Sequence, residues 1–384
     1  DMSSLGLNDS AQYKTNRVCW SLLGLPFDQV DTDQALKIID RAIVTKQRCF
    51  LSTPNLNFIV QARRDASFFE SLICSDLVVA DGMPLIWTAK LLGIPLRCRV
   101  AGSSLFDILQ NTRRDKPISV FFFGGQGSAA QQAADNLNRS SVGMIACGAL
   151  NPGTGSVESM SSDQVIEQIN RAEPDFLVVA LGAKKGQQWI MRNREKLNAS
   201  VISHLGAVVN FVGDSVRRAP ERWQKLGFEW LWRIFQEPQL WKRYVVDGFW
   251  FLRFMMTHAV PLALYQKRLR GCTDKGFSME IIDAKAASDT GAYAEMVLAG
   301  STTVGNGALL NSGCRKILDQ EEDIPTVSIN CANLDYIDSS ALGTLMLLKA
   351  NILRRGGTFS LFGASPRIKR LMRLHGVEEF LSES

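Results

Sequence analysis

Hydrophobic positions in the first half of the chain come in short continuous runs that end at glycine, proline or aspartate. From about Val18 to Gly213 these runs alternate with stretches in which apolar residues recur at helical spacing. The clearest runs precede the turns Thr53-Pro54-Asn55, Asp81-Gly82 and Gly124-Gly125. Strands that are apolar at every position favour a largely parallel sheet buried on both faces, so we predict an α/β fold.

The stretch 217–270 has few glycines and a helical pattern, which Pro238 and Pro261 are predicted to interrupt. One amphipathic stripe consists of Trp223, Leu226, Trp230 and Ile234. After Gly271 the pattern of strands and helices returns. A strand is predicted before Asp338, and a helix from Asp338 or Ser339 to Gly356. This part of the chain is therefore predicted to form a second, smaller α/β domain.

A length of 384 residues indicates two or three domains. We predict a polar tail at 1–17, an α/β core at 18–216, a basic appendage at 217–264, a linker at 265–277 and the smaller domain at 278–384. The sequence shows no secretory signal and no apolar run long enough to predict a spanning helix. The eight cysteines form no CxxC pair, which argues against a zinc site and favours reduced thiols.

Charge is unevenly distributed, although the net charge is only +5. Residues 217–270 contain 11 Lys or Arg against 4 Asp or Glu, and five of the eight tryptophans. Tryptophan beside basic residues is typical of a membrane surface, and aromatics at helical spacing do not favour nucleic acid. A core-packed helix with a solvated basic face would give the same pattern, so both interpretations stay open.

Polar residues follow the predicted strands at the edge where α/β proteins bind ligands. Asp81 comes after four apolar residues, where partial desolvation would raise the carboxyl pKa and suit a general base. An Asx turn or a helix cap is the alternative. Thr53 and Asn55 offer a hydroxyl and an amide to a polar ligand such as a sugar, or a cap to the helix starting near Asn57.

The turn formed by Gly124, Gly125 and Gly127 opens a helix and could present backbone N–H groups to a diphosphate, although it lacks the Lys-Ser/Thr of a P-loop. Ser339 begins a helix, as an N-cap or as a phosphorylation site. Arginine binds phosphate oxygens in a bidentate way, and surface solvation is the alternative for each cation. The candidate anion partners are Arg97, Arg99, Arg217, Arg218, Arg222, Arg233 and Arg243, and Lys184 and Lys185 fall at the carboxyl end of a predicted strand, where Lys185 is a candidate substrate-binding residue.

Residues from about Val18 to Tyr244 resemble the WecG/TagA/CpsF glycosyltransferases, glycosyltransferase family 26. The similarity rests on TPNLNFI, LVVADGMPLIW, RVAGSSLF, VFFFGGQG, PDFLVVALGAKK and LGAVVNFVGDSVRRAPERWQKLGFEWLWRIFQEPQLWKRY. The resemblance implies a Rossmann-like α/β core with a helical C-terminal appendage. It also implies inverting sugar transfer, with no metal or other cofactor, from a nucleotide sugar, usually a UDP-sugar, to a polyprenyl-diphosphate-linked sugar. Such enzymes serve cell-surface polysaccharide synthesis at the cytoplasmic face of the membrane, as peripheral proteins.

By position in the family pattern, Asp81 is the expected general base, and Thr53 and Asn55 would hold substrate beside it. Arg99 matches the family arginine before Val-x-Gly, and Arg233 and Arg243 lie in the appendage, where arginines are expected to meet the diphosphate. Two segments depart from the family pattern. The chain has Gly102-Ser103-Ser104 for Gly-Ser-Asp, and Lys184-Lys185-Gly186-Gln187 for Pro-Lys-Gln-Glu. These departures motivate an alternative hypothesis, a catalytically impaired scaffold that acts as a phosphorylation-controlled regulator.

Residues from about Ser278 to Ser384 resemble a STAS domain, similar to anti-sigma factor antagonists. The similarity rests on LDYIDSSALGTLMLLKANILRRGGTFSLFG, in which Ser339 matches the serine that is phosphorylated in many antagonists. The resemblance implies a module that binds a protein partner or is controlled by a kinase.

Overall fold

The computed structural model describes residues 17–213, 219–220, 223, 228–269, 271, 276–284, 293–303, 305–319 and 326–382. Residue contacts divide the chain into two compact units. A larger unit comprises 30–86 and 96–250, and a smaller unit comprises 1–29, 87–95 and 251–384. Within the described ranges, no helix combines the length and the apolar character that crossing a bilayer requires.

Both units contain β-strands. In chain order these are β1 (Cys19–Leu22), β2 (Leu25–Asp28), β3 (Cys49–Ser52), β4 (Leu77–Val78), β5 (Ile118–Gly124), β6 (Met144–Leu150), β7 (Phe176–Ala180), β8 (Val201–His204), β9 (Ser278–Ala284), β10 (Tyr293–Ser301), β11 (Thr326–Tyr336) and β12 (Thr358–Phe362).

The α-helices follow in the same order. They are α1 (Thr32–Thr45), α2 (Leu56–Ala62), α3 (Ala66–Ile73), α4 (Met83–Leu91), α5 (Gly102–Asn111), α6 (Ala129–Ser140), α7 (Asp163–Arg171), α8 (Ala183–Asn193), α9 (Gly206–Val212), α10 (Glu229–Gln236), α11 (Trp241–Phe254), α12 (Val260–Arg268), α13 (Gly307–Leu318), α14 (Ser339–Arg354), α15 (Pro366–His375) and α16 (Glu378–Ser382).

The larger unit is built on a six-stranded sheet in the order β4-β3-β8-β7-β5-β6, and neighbouring strands are parallel. Alternate residues of β5 enter two different cores. Val120 and Phe122 pack with α1, α5, α6 and α9, whereas Phe121 and Phe123 pack with residues of α7 and α8. Helices thus cover both faces, which explains the continuous apolar runs and confirms the predicted α/β class.

In the smaller unit, β12-β11-β10-β9 form a four-stranded sheet, with β9 antiparallel to β10 and the other pairs parallel. Helix α14 begins at the cap Asp338, whose carboxylate accepts the N–H of Ala341, and it stops before Gly356. Helix α15 starts at Pro366 and ends at Gly376 in the left-handed region (φ 72°). The predicted strand, helix and stop signals of this region are therefore present.

The two prolines of the basic stretch have different effects. Pro238 begins a 3₁₀ turn, Pro238–Leu240, between α10 and α11. Pro261 instead lies in the first turn of α12, which follows a π-helical turn at Met255–Ala259 directly after α11. Pro261 has no N–H to donate to the preceding turn, and the π-helical turn accommodates it, so the predicted interruption does not occur and the chain remains helical through this point.

Candidate functional site

Backbone hydrogen bonds bring the residues that follow β3 and β4 side by side at the carboxyl edge of the larger unit's sheet. The N–H of Asp81 donates to the carbonyl of Pro54 (3.0 Å), and the N–H of Val100 donates to the carbonyl of Ala80 (2.9 Å). Asp81, the Thr53–Asn55 turn and the segment carrying Arg99 are therefore neighbours, as the strand order of a parallel sheet requires.

One guanidinium joins two carboxylates at this edge. Arg99 Nε donates to Asp81 Oδ1 at 2.9 Å, and Arg99 Nη2 lies 2.5 Å from Glu229 Oε2, at the start of α10. The side chains of Asp81, Arg99 and Glu229 are 24%, 17% and 14% exposed. We call these three residues the carboxylate–arginine cluster.

The surroundings of Asp81 alter its proton affinity. Burial raises the pKa of the Asp81 carboxyl above its ordinary value, and the negative charge of Glu229 raises it further, whereas Arg99 and Arg233 lower it. Burial is the largest of these causes. A partly desolvated carboxylate that keeps some access to solvent has the properties of a general base, so the chemistry expected of Asp81 is available here.

Two arginines of the predicted appendage each have a side-chain N–H group that is not hydrogen-bonded within the described part of the chain. Among the described residues, the Nε atoms of Arg233 and Arg243 are buried without a hydrogen-bond partner. Arg233 Nη2 pairs with Glu237 at 3.2 Å, and the guanidinium of Arg243 lies 5.0 Å from the ring centre of Tyr244. Arg217, Arg218 and Arg222 lie outside the described residues.

The turn after β3 combines a cap with a close approach. Asn55 Oδ1 accepts the N–H of Phe58 at 3.2 Å, so its side chain caps α2, which is the alternative role that the sequence left open. Thr53 is buried beside the first residue of α5, Gly102. A Cβ at Gly102 would lie 2.4 Å from Leu205 and 3.1 Å from the methyl of Thr53, so glycine is required for this packing.

The glycine turn after β5 also depends on close approach. Gly124 has φ 104°, and a Cβ there would lie 2.5 Å from the carbonyl oxygen of Ala180 on β7. Gly125 and Gly127 have φ values of 83° and 56°, which also favour glycine. The turn leads into α6, whose cap residue Ser128 makes no side-chain cap hydrogen bond.

Lys185 makes a local contact instead of one to the cluster. Its Nζ donates to the carbonyl of Gly155 at 2.8 Å, and it lines an open cleft with Gln188 and Arg192. The neighbouring Lys184 pairs with Asp65. Lys185 therefore bonds to a backbone carbonyl, and within the described residues it does not contact the carboxylate–arginine cluster.

Two site residues were missed by sequence reasoning. Glu229 pairs with Arg99 although the two are far apart in the chain, and no local pattern indicates that pairing. His204 ends β8, and a histidine at the carboxyl end of a buried strand was the available signal. Its Nε2 is buried without a hydrogen-bond partner among the described residues, and burial lowers its pKa to about 4. At neutral pH the ring is therefore uncharged.

His204 fills the space beside one of the positions that depart from the family pattern. A Cβ at Gly186 would lie 2.2 Å from His204 Cδ2, so no larger side chain fits there in this arrangement. The next residue, Gln187, is fully buried, and its Nε2 donates to Ser52 Oγ at 3.0 Å, at the end of β3. His204 and Gly186 thus lie against each other at the carboxyl edge of the sheet.

Ser339, the phosphorylation candidate, is buried in the smaller unit. Only 3% of Ser339 is exposed, and its hydroxyl donates to the carbonyl of Ser21 on β1 at 2.5 Å. The cap of α14 is Asp338, whose pKa burial raises to about 6. The described residues contain no group of three His, Cys, Asp or Glu side chains placed to hold a metal ion.

These features define the class of protein. It is an α/β enzyme with a polar site at the carboxyl edge of a parallel sheet, and its chain also contains a smaller α/β domain. A family model described as "Glycosyl transferase WecG/TagA/CpsF family" matches residues 20–263, and a STAS domain model matches residues 290–383. The chain belongs to the WecG/TagA/CpsF glycosyltransferase family and carries a STAS domain.

Curated relatives of the chain are named N-acetylglucosaminyldiphosphoundecaprenol N-acetyl-beta-D-mannosaminyltransferase. The protein of Bacillus spizizenii W23 is 27% identical over 194 residues, which cover 50% of this chain and 74% of the relative. That of Bacillus subtilis 168 is 26% identical over 193 residues, with 50% and 73% covered. That of Staphylococcus aureus MW2 is 22% identical over 236 residues, with 61% and 90% covered. The recognition of both domains from the sequence is confirmed.

Proposed function

We propose that the chain transfers a sugar, with inversion and without a metal, from a UDP-sugar to a polyprenyl-diphosphate-linked sugar in cell-surface polysaccharide synthesis. The observation that carries the proposal is the carboxylate–arginine cluster at the sheet edge, where the carboxylate that we propose as the general base lies beside a cationic partner. The names of the relatives, which specify an N-acetylglucosaminyldiphosphoundecaprenol acceptor, support the acceptor class.

The chemistry can be written for this chain's residues. The Asp81 carboxylate takes the proton of the acceptor hydroxyl while that oxygen forms a bond to the anomeric carbon. The bond from the anomeric carbon to the diphosphate oxygen breaks on the opposite side, which inverts the configuration. Arg99 and the Nε–H groups of Arg233 and Arg243 would stabilise the charge on the diphosphates. The uncharged His204 ring would hydrogen-bond a substrate hydroxyl.

Replacement of the proposed base tests this function. The purified chain is incubated with a panel of UDP-sugars and a lipid-diphosphate sugar, and UDP release and product mass are measured. We expect Asp81→Asn to lower the rate by about 10²–10⁴-fold, the usual value of a general base. Its fold should persist because Arg99 keeps Glu229 as a partner. Asp163→Asn, at a side chain that is 96% exposed, is the matched control and should retain full activity.

The two hypotheses from the sequence predict different results. If the folded chain releases no UDP with any donor, the scaffold hypothesis replaces the transferase. If transfer occurs but Asp81→Asn stays within a few-fold of the parent, the transferase stands and the base is assigned wrongly. Protein binding through the STAS domain, with or without a kinase acting on it, belongs to both hypotheses.

We further propose that the basic appendage at 217–264 attaches the protein to the inner face of the cell membrane as a peripheral protein. Large apolar side chains of α11 support this, since Trp241 is 51% and Phe249 71% exposed. Their neighbours include Lys242 and Arg243. Co-sedimentation with vesicles that contain an anionic lipid should fall when Phe249 is replaced by serine. Val44→Ser, at a similarly exposed apolar residue of α1, should not change it.

A further inference from the structure

The hairpin formed by β1 and β2 packs on the start of α14 in the smaller unit. Two observations define the contact. Ser339 Oγ donates to the carbonyl of Ser21 at 2.5 Å, and a Cβ at Gly343, one turn further along α14, would lie 2.8 Å from the carbonyl oxygen of Cys19. The hairpin backbone therefore approaches the helix closely because residue 343 has no side chain.

The hairpin has little stability of its own. It consists of two four-residue strands, joined by a turn in which both Leu23 (φ 54°) and Gly24 (φ 84°) adopt positive φ. A two-stranded hairpin is marginal in water unless it packs on another surface, and positive φ at leucine adds strain. The hairpin therefore stays folded only while it packs on the surface that it covers, and this surface includes the start of α14.

The covered face leaves no room for a charged group. Ser339 and Asp338 are both buried, and the Ser339 hydroxyl points at a carbonyl oxygen. A larger or negatively charged group at this position would meet both the carbonyl of Ser21 and the carboxyl of Asp338. The hairpin would have to leave before such a group could be accommodated.

We propose that this contact is a latch, in which this chain's own N-terminal hairpin covers the start of α14 and can leave it while the STAS domain stays folded. The size, the charge and the hydroxyl of the side chain at position 339 decide whether the hairpin stays on the helix. Because the family model for the transferase includes the hairpin from residue 20 onwards, the latch connects transferase sequence to the STAS domain. A protein that binds this face must displace the hairpin. The latch involves neither Asp81 nor the transfer reaction.

Cysteine labelling of the full chain tests the latch. Cys19 is buried in the hairpin and burial raises its pKa, so it should react slowly with N-ethylmaleimide. Exposed Cys98 is an internal positive control, and Cys331, buried in β11, reports unfolding of the STAS domain. Labelling of each cysteine is followed by peptide mass spectrometry.

Gly343→Ala and Ser339→Glu should each speed the labelling of Cys19 by about tenfold or more, because added bulk or charge opens the contact, while Cys331 stays protected. Gly248→Ala makes the same change in α11, where a Cβ would meet nothing within 4 Å, and should leave Cys19 protected. If Cys19 stays protected in both variants, the latch is refuted.

If Cys331 also becomes reactive in these variants, the STAS domain itself has opened, and Ser339→Ala decides the question. That change removes only the hydroxyl that donates to Ser21. Selective labelling of Cys19 in Ser339→Ala supports the latch. Parallel labelling or parallel protection of Cys19 and Cys331 contradicts it, because the hairpin would then not separate from an intact domain.

Discussion

Replacing His204 with phenylalanine separates a substrate contact from a structural role. The histidine ring ends β8 with a buried Nε2 that has no hydrogen-bond partner among the described residues, and Phe58 lies 6.1 Å away, ring centre to ring centre. Phenylalanine retains an aromatic ring at the site and removes the polar atom. If the nitrogen serves the fold, this change should destabilise the protein; if it serves substrate, it should not.

The change should affect stability and substrate binding in opposite ways: the fold should be equally or more stable, and substrate should bind less tightly. A buried polar group without a partner costs about 1–3 kcal/mol, so its removal should leave the free energy of unfolding unchanged or raise it by up to that amount. A neutral hydrogen bond to a substrate hydroxyl contributes about 0.5–1.5 kcal/mol, so KM should rise about two- to tenfold. If the hydrogen bond is equally strong in the ground state and in the transition state, kcat should change less than KM.

Steady-state UDP release and thermal unfolding of the same preparations measure both quantities. The matched control is His375→Phe, because His375 is also buried, with an Nε2 that has no partner in the described part of the chain, but lies on α15 of the STAS domain. That control should leave KM unchanged. A His204→Phe protein that unfolds at clearly lower temperature and keeps the parent KM would refute the substrate contact and assign the ring a packing role.

Two further predictions concern pH. Glu229→Gln removes a charge that raises the pKa of Asp81, so that pKa should fall. The acid limb of the kcat–pH profile should then move to lower pH, and transfer at neutral pH should slow because the base is weaker. An unchanged profile would show that Glu229 does not tune the base. Burial lowers the pKa of His375 to about 4, whereas the unfolded chain binds that proton near its ordinary pKa of about 6.5. Between these values the unfolded state holds more protons, so the free energy of unfolding should fall as the pH drops from about 6.5 to 4. Urea titrations of His375→Phe should show a smaller fall, and an identical fall would contradict the assignment.

The sequence predicts those parts of the molecule that depend on local pattern. The apolar runs before Thr53 and Asp81 form strands β3 and β4, and the glycine signal at Gly356 ends α14 where it is expected. Asp81 stands out because a strand end is a local feature. The partner that Arg99 finds in Glu229 depends on how α10 folds back to the sheet, which no local signal indicates.

Burial by distant segments is equally invisible in the sequence. Ser339 carries the pattern of an exposed helix start, yet the hairpin at 19–28 covers it. In the sequence His204 is only one of three histidines, and its packing against Gly186 is a tertiary contact. Contacts of this kind need the tertiary structure, since each joins residues from unrelated parts of the chain.

The tight fit at Gly124 has a consequence for protein engineering. Any residue other than glycine would push its Cβ against the Ala180 carbonyl, and would wedge the carboxyl end of β5 away from that of β7. Gly127, by contrast, borders open space, although its positive φ favours glycine, and the neighbouring Gln126 is exposed. Mutant libraries that vary this turn should therefore keep codon 124 fixed and place their diversity at codon 126.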